Sequence, residues 1–201
     1  MEPLTLDDIL PLDDYIVQRQ DYFSQHIRYL DRYRRVRLGP KLTLLFENRQ
    51  TLWFRLHEVL RVARLDDAAR VQAEIDWYNQ LLPSENRLQA ALLIGLPDNA
   101  PIVDELRFWR GLTGAEIAIM CNGVVRIEGQ LVTAREADLS IGMAHWIEFP
   151  CDAVQKQALS ASRGPMRIQV QYRGYEYESL PLSEDIRQSL SEDLEPLQRV
   201  A

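Results

Sequence analysis

The stretch Arg34–Pro83, RRVRLGPKLTLLFENRQTLWFRLHEVLRVARLDDAARVQAEIDWYNQLLP, decides how the rest of the chain is read. Leu52, Trp53, Leu56, Val59, Leu60 and Ala63 recur at spacings of three and four. That is the period of one helix face, so the pattern predicts a helix from about Asn48 to Arg64 with this stripe against a core. Asn48 can cap its start by accepting a bond from a first-turn amide, and Arg61 and Arg64 place positive charge at the end the helix dipole favours. With Asp66 or Asp67 as the next cap, Ala68, Val71, Ile75, Tyr78 and Leu82 mark a second helix, which Pro83 stops for want of an amide hydrogen. The two form an antiparallel hairpin. Ahead of them, Val36–Leu38 and Leu42–Phe46 flank Gly39-Pro40-Lys41, a turn signal between short apolar runs. This reads as a small β-hairpin, with Thr43–Phe46 as an early turn of the following helix the other reading.

Upstream, Thr5-Leu6-Asp7-Asp8 has the form of a capping box before a short helix that Pro11 ends. A longer helix is predicted from Asp13 or Asp14 to about Tyr33. Leu12, Tyr15, Ile16, Tyr22, Phe23, His26, Ile27, Leu30 and Tyr33 crowd one broad face of it. Downstream the pattern becomes strand, helix, strand twice: Leu88–Leu96, Ile102–Trp109 and Ala115–Cys121, then Ala144–Phe149, Asp152–Ala161 and Met166–Tyr172. Met166, Ile168, Val170 and Tyr172 alternate with polar residues, so that strand has one buried and one wet face. Arg173-Gly174 turns the chain into Tyr175–Leu180, and Ser183 caps an acidic last helix to about Leu194. The expected fold is α+β. A mainly helical region, 1–87, packs on a mostly antiparallel sheet region with helices, 88–201, in one compound domain. A split βαβ or ferredoxin-like arrangement is the candidate topology.

No run of roughly 18 apolar residues is present to span a bilayer, and the first residues, MEPLTLDDIL, are acidic where a secretory signal would be basic. A cytoplasmic protein is expected. Cys121 and Cys151 lie in no CxxC and read as small buried apolar residues. The formal charge of −7 disfavours a nucleic-acid binder, but it hides a division: from His26 to Arg64 ten Lys or Arg stand against three acids, +7, leaving −14 elsewhere.

No complete catalytic constellation is present. His26, His57 and His145 are scattered, no serine sits in a G-x-S-x-G elbow, and the glycines form no phosphate cradle. His26, at the edge of its apolar stripe, reads as a core histidine, and Trp77, aligned with Leu81, as an edge packer. His57-Glu58 invites a metal, but a second histidine four residues on is missing, since position 61 is Arg. Glu58 lies nearly opposite the stripe centred on Leu56 and is expected to be solvated. Glu47, His57, Glu58 and Glu74 make up the carboxylate–histidine alternative. Arg28, Arg32, Arg34, Arg35 and Arg37 form the strongest surface lead. They are either a solvated helix end offset by the acidic last helix or a docking face for an acidic protein.

RRVRLGPKLTLLFENRQT, followed by HEVLR and EIDWYNQLLP, resembles an uncharacterised bacterial family, domain of unknown function 3501. LTLDDILPLDDY near the start, the AHWIEF strand and the acidic last helix extend the likeness over most of the chain. Members often carry Gln in place of His57 and an acid near Ala63. The family has no agreed activity, and its members are often encoded beside rubrerythrin-like and cysteine-rich iron–sulfur proteins. The resemblance therefore implies a place in a redox or oxidative-stress system. With too few cysteines to hold a cluster itself, the chain is expected to bind no cofactor and to act as a non-catalytic adaptor for an iron–sulfur or rubrerythrin-like partner. A metal-dependent enzyme or sensor is the alternative.

Overall fold

The computed structural model describes residues 1–95, 101–132, 144–161 and 164–195. A single-turn 3-10 helix, Leu6–Asp8, leads into α1, Leu12–Tyr33. The predicted hairpin forms as β1, Arg35–Leu38, and β2, Leu42–Phe46, followed by α2, Arg49–Ala63, and α3, Ala68–Asn79. Asn48 caps α2 reciprocally. Its side chain accepts from the Thr51 amide at 3.0 Å, and its own amide donates to the Thr51 hydroxyl at 2.9 Å. Arg64, left-handed at φ 49°, turns the chain into α3, whose first turn Asp67 caps through the Arg70 amide.

Then come β3, Arg87–Ile94; α4, Ile102–Trp109; β4, Ile117–Cys121; β5, Val125–Glu128; and β6, Gln130–Val132. The chain continues with β7, Ala144–Pro150; α5, Ala153–Ala161; β8, Met166–Tyr172; β9, Tyr175–Glu178; and α6, Glu184–Asp193. The α+β class and the helix-first, sheet-later order are as the sequence implies. The topology is more specific. The described strands form two sheets, β1-β2-β3-β7-β6 and β5-β4-β8-β9, in which every pairing is antiparallel. A split βαβ needs β3 and β4 parallel in one sheet. Here the connection through α4 carries the chain from one sheet to the other, so the ferredoxin-like option gives way to a two-sheet arrangement. β2 pairs with β3, so strands from both sequence regions share a sheet.

The alternation of each strand explains the layering. Leu42, Leu44 and Phe46 of β2, Leu88, Ala90, Leu92 and Ile94 of β3, and Ile147 and Phe149 of β7 turn inward. They share one core with Ile117, Ile119 and Cys121 of β4 and Met166, Ile168, Val170 and Tyr172 of β8. Trp109, Leu159 and Leu190 close its ends from α4, α5 and α6. The opposite face of the first sheet offers Leu45, Ala91, Leu93 and Trp146 to Leu30 of α1. β3 therefore reads as an almost unbroken apolar run because both its faces are covered. At the corner where β5 passes into β6, Gly114 approaches the backbone: a Cβ there would lie 2.6 Å from the Leu131 nitrogen, at φ +100°. No described helix is long and apolar enough to cross a membrane.

Candidate functional site

The α2–α3 hairpin packs through Leu52, Leu56, Leu60, Val71, Ile75 and Leu82, and the N-terminal segment is strapped across it. The strap is tied at successive points. Leu4 exchanges two bonds with the Asn79 side chain, at 2.7 and 2.9 Å. Asp8 holds Arg49 through its carboxylate at 2.6 Å and the Trp53 indole N–H through its carbonyl at 2.9 Å. The Leu10 amide donates to His57 Nε2 at 3.1 Å. Between strap and hairpin remains a pocket of about 340 Å³. Leu6, Ile9, Leu10 and Pro11 roof it, His57 and Leu60 floor it, and Leu65, Asp66, Ala68 and Val71 form its α3 side.

His57 Nδ1 lies 2.8 Å from the Trp53 carbonyl, an acceptor, so Nδ1 carries the proton and Nε2 accepts from Leu10. Burial lowers the pKa of this imidazole and keeps it neutral. Its neighbour Glu58 is not a solvated helix-face carboxylate. Arg19 of α1 clamps both its oxygens at 2.8 Å, Arg61 adds bonds at 3.2 and 3.0 Å, and the Tyr15 hydroxyl donates at 2.9 Å. The Arg19 bonds, more than any other, hold the Glu58 carboxyl at about 2, while burial pushes the Tyr15 phenol up. Glu58 lies opposite the Leu56 stripe, as the spacing of three and four implies, but it is not solvated there because α1 covers that side too.

Glu47 is buried ahead of α2. Its carboxylate accepts from the Thr51 hydroxyl and pairs with Arg55 Nε at 2.7 Å, and the Arg55 guanidinium lies over the Trp146 ring, 5.4 Å from its centroid. Glu74 is half-buried on α3. Among the described residues no three His, Cys, Asp or Glu lie close enough together to hold a metal ion, so Glu47, His57, Glu58 and Glu74 do not converge. His26 is buried and stacks on Phe54 at 4.1 Å between centroids. Burial, with repulsion from Arg55 and Arg35, pushes its pKa down to about 4.

The arginine cluster divides. Arg34 is buried, at 2% exposure: it pairs with Asp193 of α6 and donates to the Tyr29 hydroxyl from Nε at 3.2 Å and from a terminal nitrogen at 3.1 Å. It therefore cannot belong to a docking face, because it neutralises a buried carboxylate, which burial pushes up to about 6 against its pull. Arg32 reaches Asp185 of α6 at 2.8 Å through an exposed pair, and half-buried Arg35 pairs with Asp31. Arg28 and Arg37 are exposed and form no ion pair with a described residue. Ile16 and Phe23, which the sequence places on the apolar face of α1, are 49% and 41% exposed, and Val17, which that face does not include, is 84% exposed. The apolar face of α1 is wider than one packed neighbour can cover.

Residues 3–194 match a family described as a protein of unknown function, DUF3501. The chain belongs to this DUF3501 family. A crystal structure of a protein of unknown function from Burkholderia pseudomallei K96243 has the same architecture, with a TM-score of 0.86 at 26% identity over 96% of this chain and 100% of that one. No curated protein matches the chain.

Proposed function

We propose that this DUF3501 protein is a non-catalytic accessory or adaptor in a cytoplasmic redox or oxidative-stress system, docking by the outer face of α1 on an acidic surface of an iron–sulfur or rubrerythrin-like protein. The observation that carries the reading is the composition of that face. Ile16 and Phe23, seven residues apart, share one row, and Val17 and Arg28 fall on another about 100° round the helix, while Arg32 turns toward α6 and Asp185. Exposed large apolar side chains on one helix, ending in arginines, suit a protein interface whose centre is apolar and whose rim steers an oppositely charged partner. The side chains that could serve chemistry have structural duties: Glu58 ties α1 to α2, Glu47 anchors the start of α2, and His57 carries the strap.

The test is binding kinetics with a partner first captured from the source organism and then purified. In the Arg28→Glu, Arg32→Glu variant the association rate should fall and lose its salt dependence. In wild type, raising ionic strength from physiological to about 1 M, which shortens the screening length from about 8 Å to about 3 Å, should slow association far more than it changes dissociation. Unchanged rates and salt response in a folded variant would refute docking through this face. Metal analysis of protein purified without chelator decides against the alternative of a metal-dependent enzyme or sensor if no stoichiometric metal is found, and for it if one iron, zinc or manganese per chain is retained.

A further inference from the structure

We infer that the pocket between the N-terminal strap and the α2–α3 hairpin is a binding site for an uncharged, predominantly apolar small molecule, such as a fused-ring aromatic. The volume, about 340 Å³, lies within the range of ligand sites and is too large for a packing defect. A strap made of Leu6, Ile9, Leu10 and Pro11 could lower its free energy by collapsing onto Leu60 and Val71. It is held off instead, because the Asp8 carbonyl is fixed to the Trp53 indole, the Leu10 amide to His57, and Tyr15, at the start of α1, to Glu58. These bonds preform the cavity, which reduces the ordering a ligand must impose.

The chemistry of the walls names the class. The two polar side chains beneath the pocket are already satisfied: Tyr15 donates to Glu58 at 2.9 Å, and both His57 nitrogens are engaged, at 2.8 and 3.1 Å. A ligand rich in donors and acceptors would lose its hydrogen bonds to water and find few replacements. Asp66 at the lip is exposed, so its attraction for a cation is screened by water. The site is separate from the α1 face proposed for docking, so either reading can fail without the other.

The probe is N-phenyl-1-naphthylamine, neutral at pH 7, titrated into the full chain and followed by its fluorescence. The expected result is saturable one-to-one binding accompanied by a rise in melting temperature. Ala68→Trp projects an indole into the pocket from the exposed first residue of α3 and should weaken binding at least tenfold. Methyl spectra of wild type should show the probe shifting Leu6, Leu60 and Val71, which locates the site even if the variant fails to fold. Absence of saturable binding, shifts confined to other methyls, or unchanged affinity in a folded Ala68→Trp variant overturns the inference. Binding of a cationic naphthylalkylamine ten times tighter than the neutral probe overturns the assignment of an uncharged ligand.

Discussion

Replacing Arg34 by Met keeps the apolar stem and deletes the charge, leaving Asp193 in a site where both side chains are only 3% exposed. Removing one partner of a buried pair costs about 3 to 5 kcal/mol. An independent route gives the same figure. Without its cation, Asp193 stays folded only by taking up a proton, and holding a carboxyl of ordinary pKa near 3.9 neutral at pH 7 costs about 4 kcal/mol at 1.36 kcal/mol per unit. The second route adds a sign: the penalty shrinks as pH falls, to about 3 kcal/mol at pH 5, because wild-type Asp193, pushed up to about 6, also takes up a proton over part of that range. Urea unfolding at both pH values, followed by tryptophan fluorescence, measures it. Arg35→Met is the control, because its partner Asp31 is 53% exposed and such pairs are worth less than about 1 kcal/mol. Adding Asp193→Leu to Arg34→Met should recover most of the loss, since an apolar pair can replace a buried ionic one. The reasoning fails if Arg34→Met at pH 7 lies within about 1 kcal/mol of Arg35→Met, or if its penalty grows on acidification.

Leu56→Ala should cost about 2 to 5 kcal/mol in thermal or urea melts, because the side chain is fully buried at 0% exposure. Glu58→Ala, which strands the Tyr15 hydroxyl and Arg19, should cost about 1 to 3 kcal/mol, and an effect below 0.5 kcal/mol by the same assay would return Glu58 to the solvated face, to the order of magnitude of a lost buried hydrogen bond. Gly114→Ala should destabilise by at least about 1 to 3 kcal/mol, since φ +100° is strained for Ala and the Cβ meets backbone that no rotamer change can move. His26 holds its pKa near 4, below the ordinary 6.5, so the unfolded chain takes up its proton first and stability falls as pH drops from 6.5 to 4. Glu58, depressed to about 2, contributes stability above about 4.5 that is lost as pH falls through 2. The His26→Leu variant should therefore lose less stability than wild type between pH 6.5 and 4, and parallel stability curves would refute the assignment.

The elements legible in the sequence are those whose period is enforced by one neighbour. Met166–Tyr172 alternates because one face of β8 is wet, and it appears with the bounds read for it. Ile102–Trp109 likewise appears as read. β5 and β6 stand outside the strand–helix–strand pattern, although Asn122-Gly123, with both residues at positive φ, is a strong hairpin signal ahead of Val125 and Ile127. Only the tertiary corner at Gly114 shows why such short strands persist. The helices erred in the opposite sense. The stripe of α2 implies a single contact, but α2 meets α1, α3 and the strap, so Phe54 and His57 are buried while Ala63 is exposed. The pocket was illegible because a cavity is a relation between segments: Leu10 and Val71 are far apart in sequence, and nothing in either marks a gap between them.

The charge division has a structural resolution. Of the ten basic residues between His26 and Arg64, seven form ion pairs: Arg32, Arg34, Arg35, Lys41, Arg49, Arg55 and Arg61. Asp31, Glu47 and Glu58 answer from within the segment, while Asp8, Glu105, Asp185 and Asp193 come from the N-terminal turn, α4 and α6. The excess of positive charge is thus a set of tethers by which one segment holds the start, middle and end of the chain, and most of it is unavailable as a long-range field. Three stand outside those pairs, Arg28, Arg37 and Arg64, with Arg32 in an exchangeable pair whose partners are 62% and 46% exposed. Docking through α1 must then draw its affinity from burying Ile16, Val17 and Phe23, with charge setting the encounter rate. Phe23→Ser should accordingly raise the dissociation rate and leave salt dependence intact, whereas Arg28→Glu should do the reverse. If both substitutions act on association alone, the apolar face of α1 is not the contact surface.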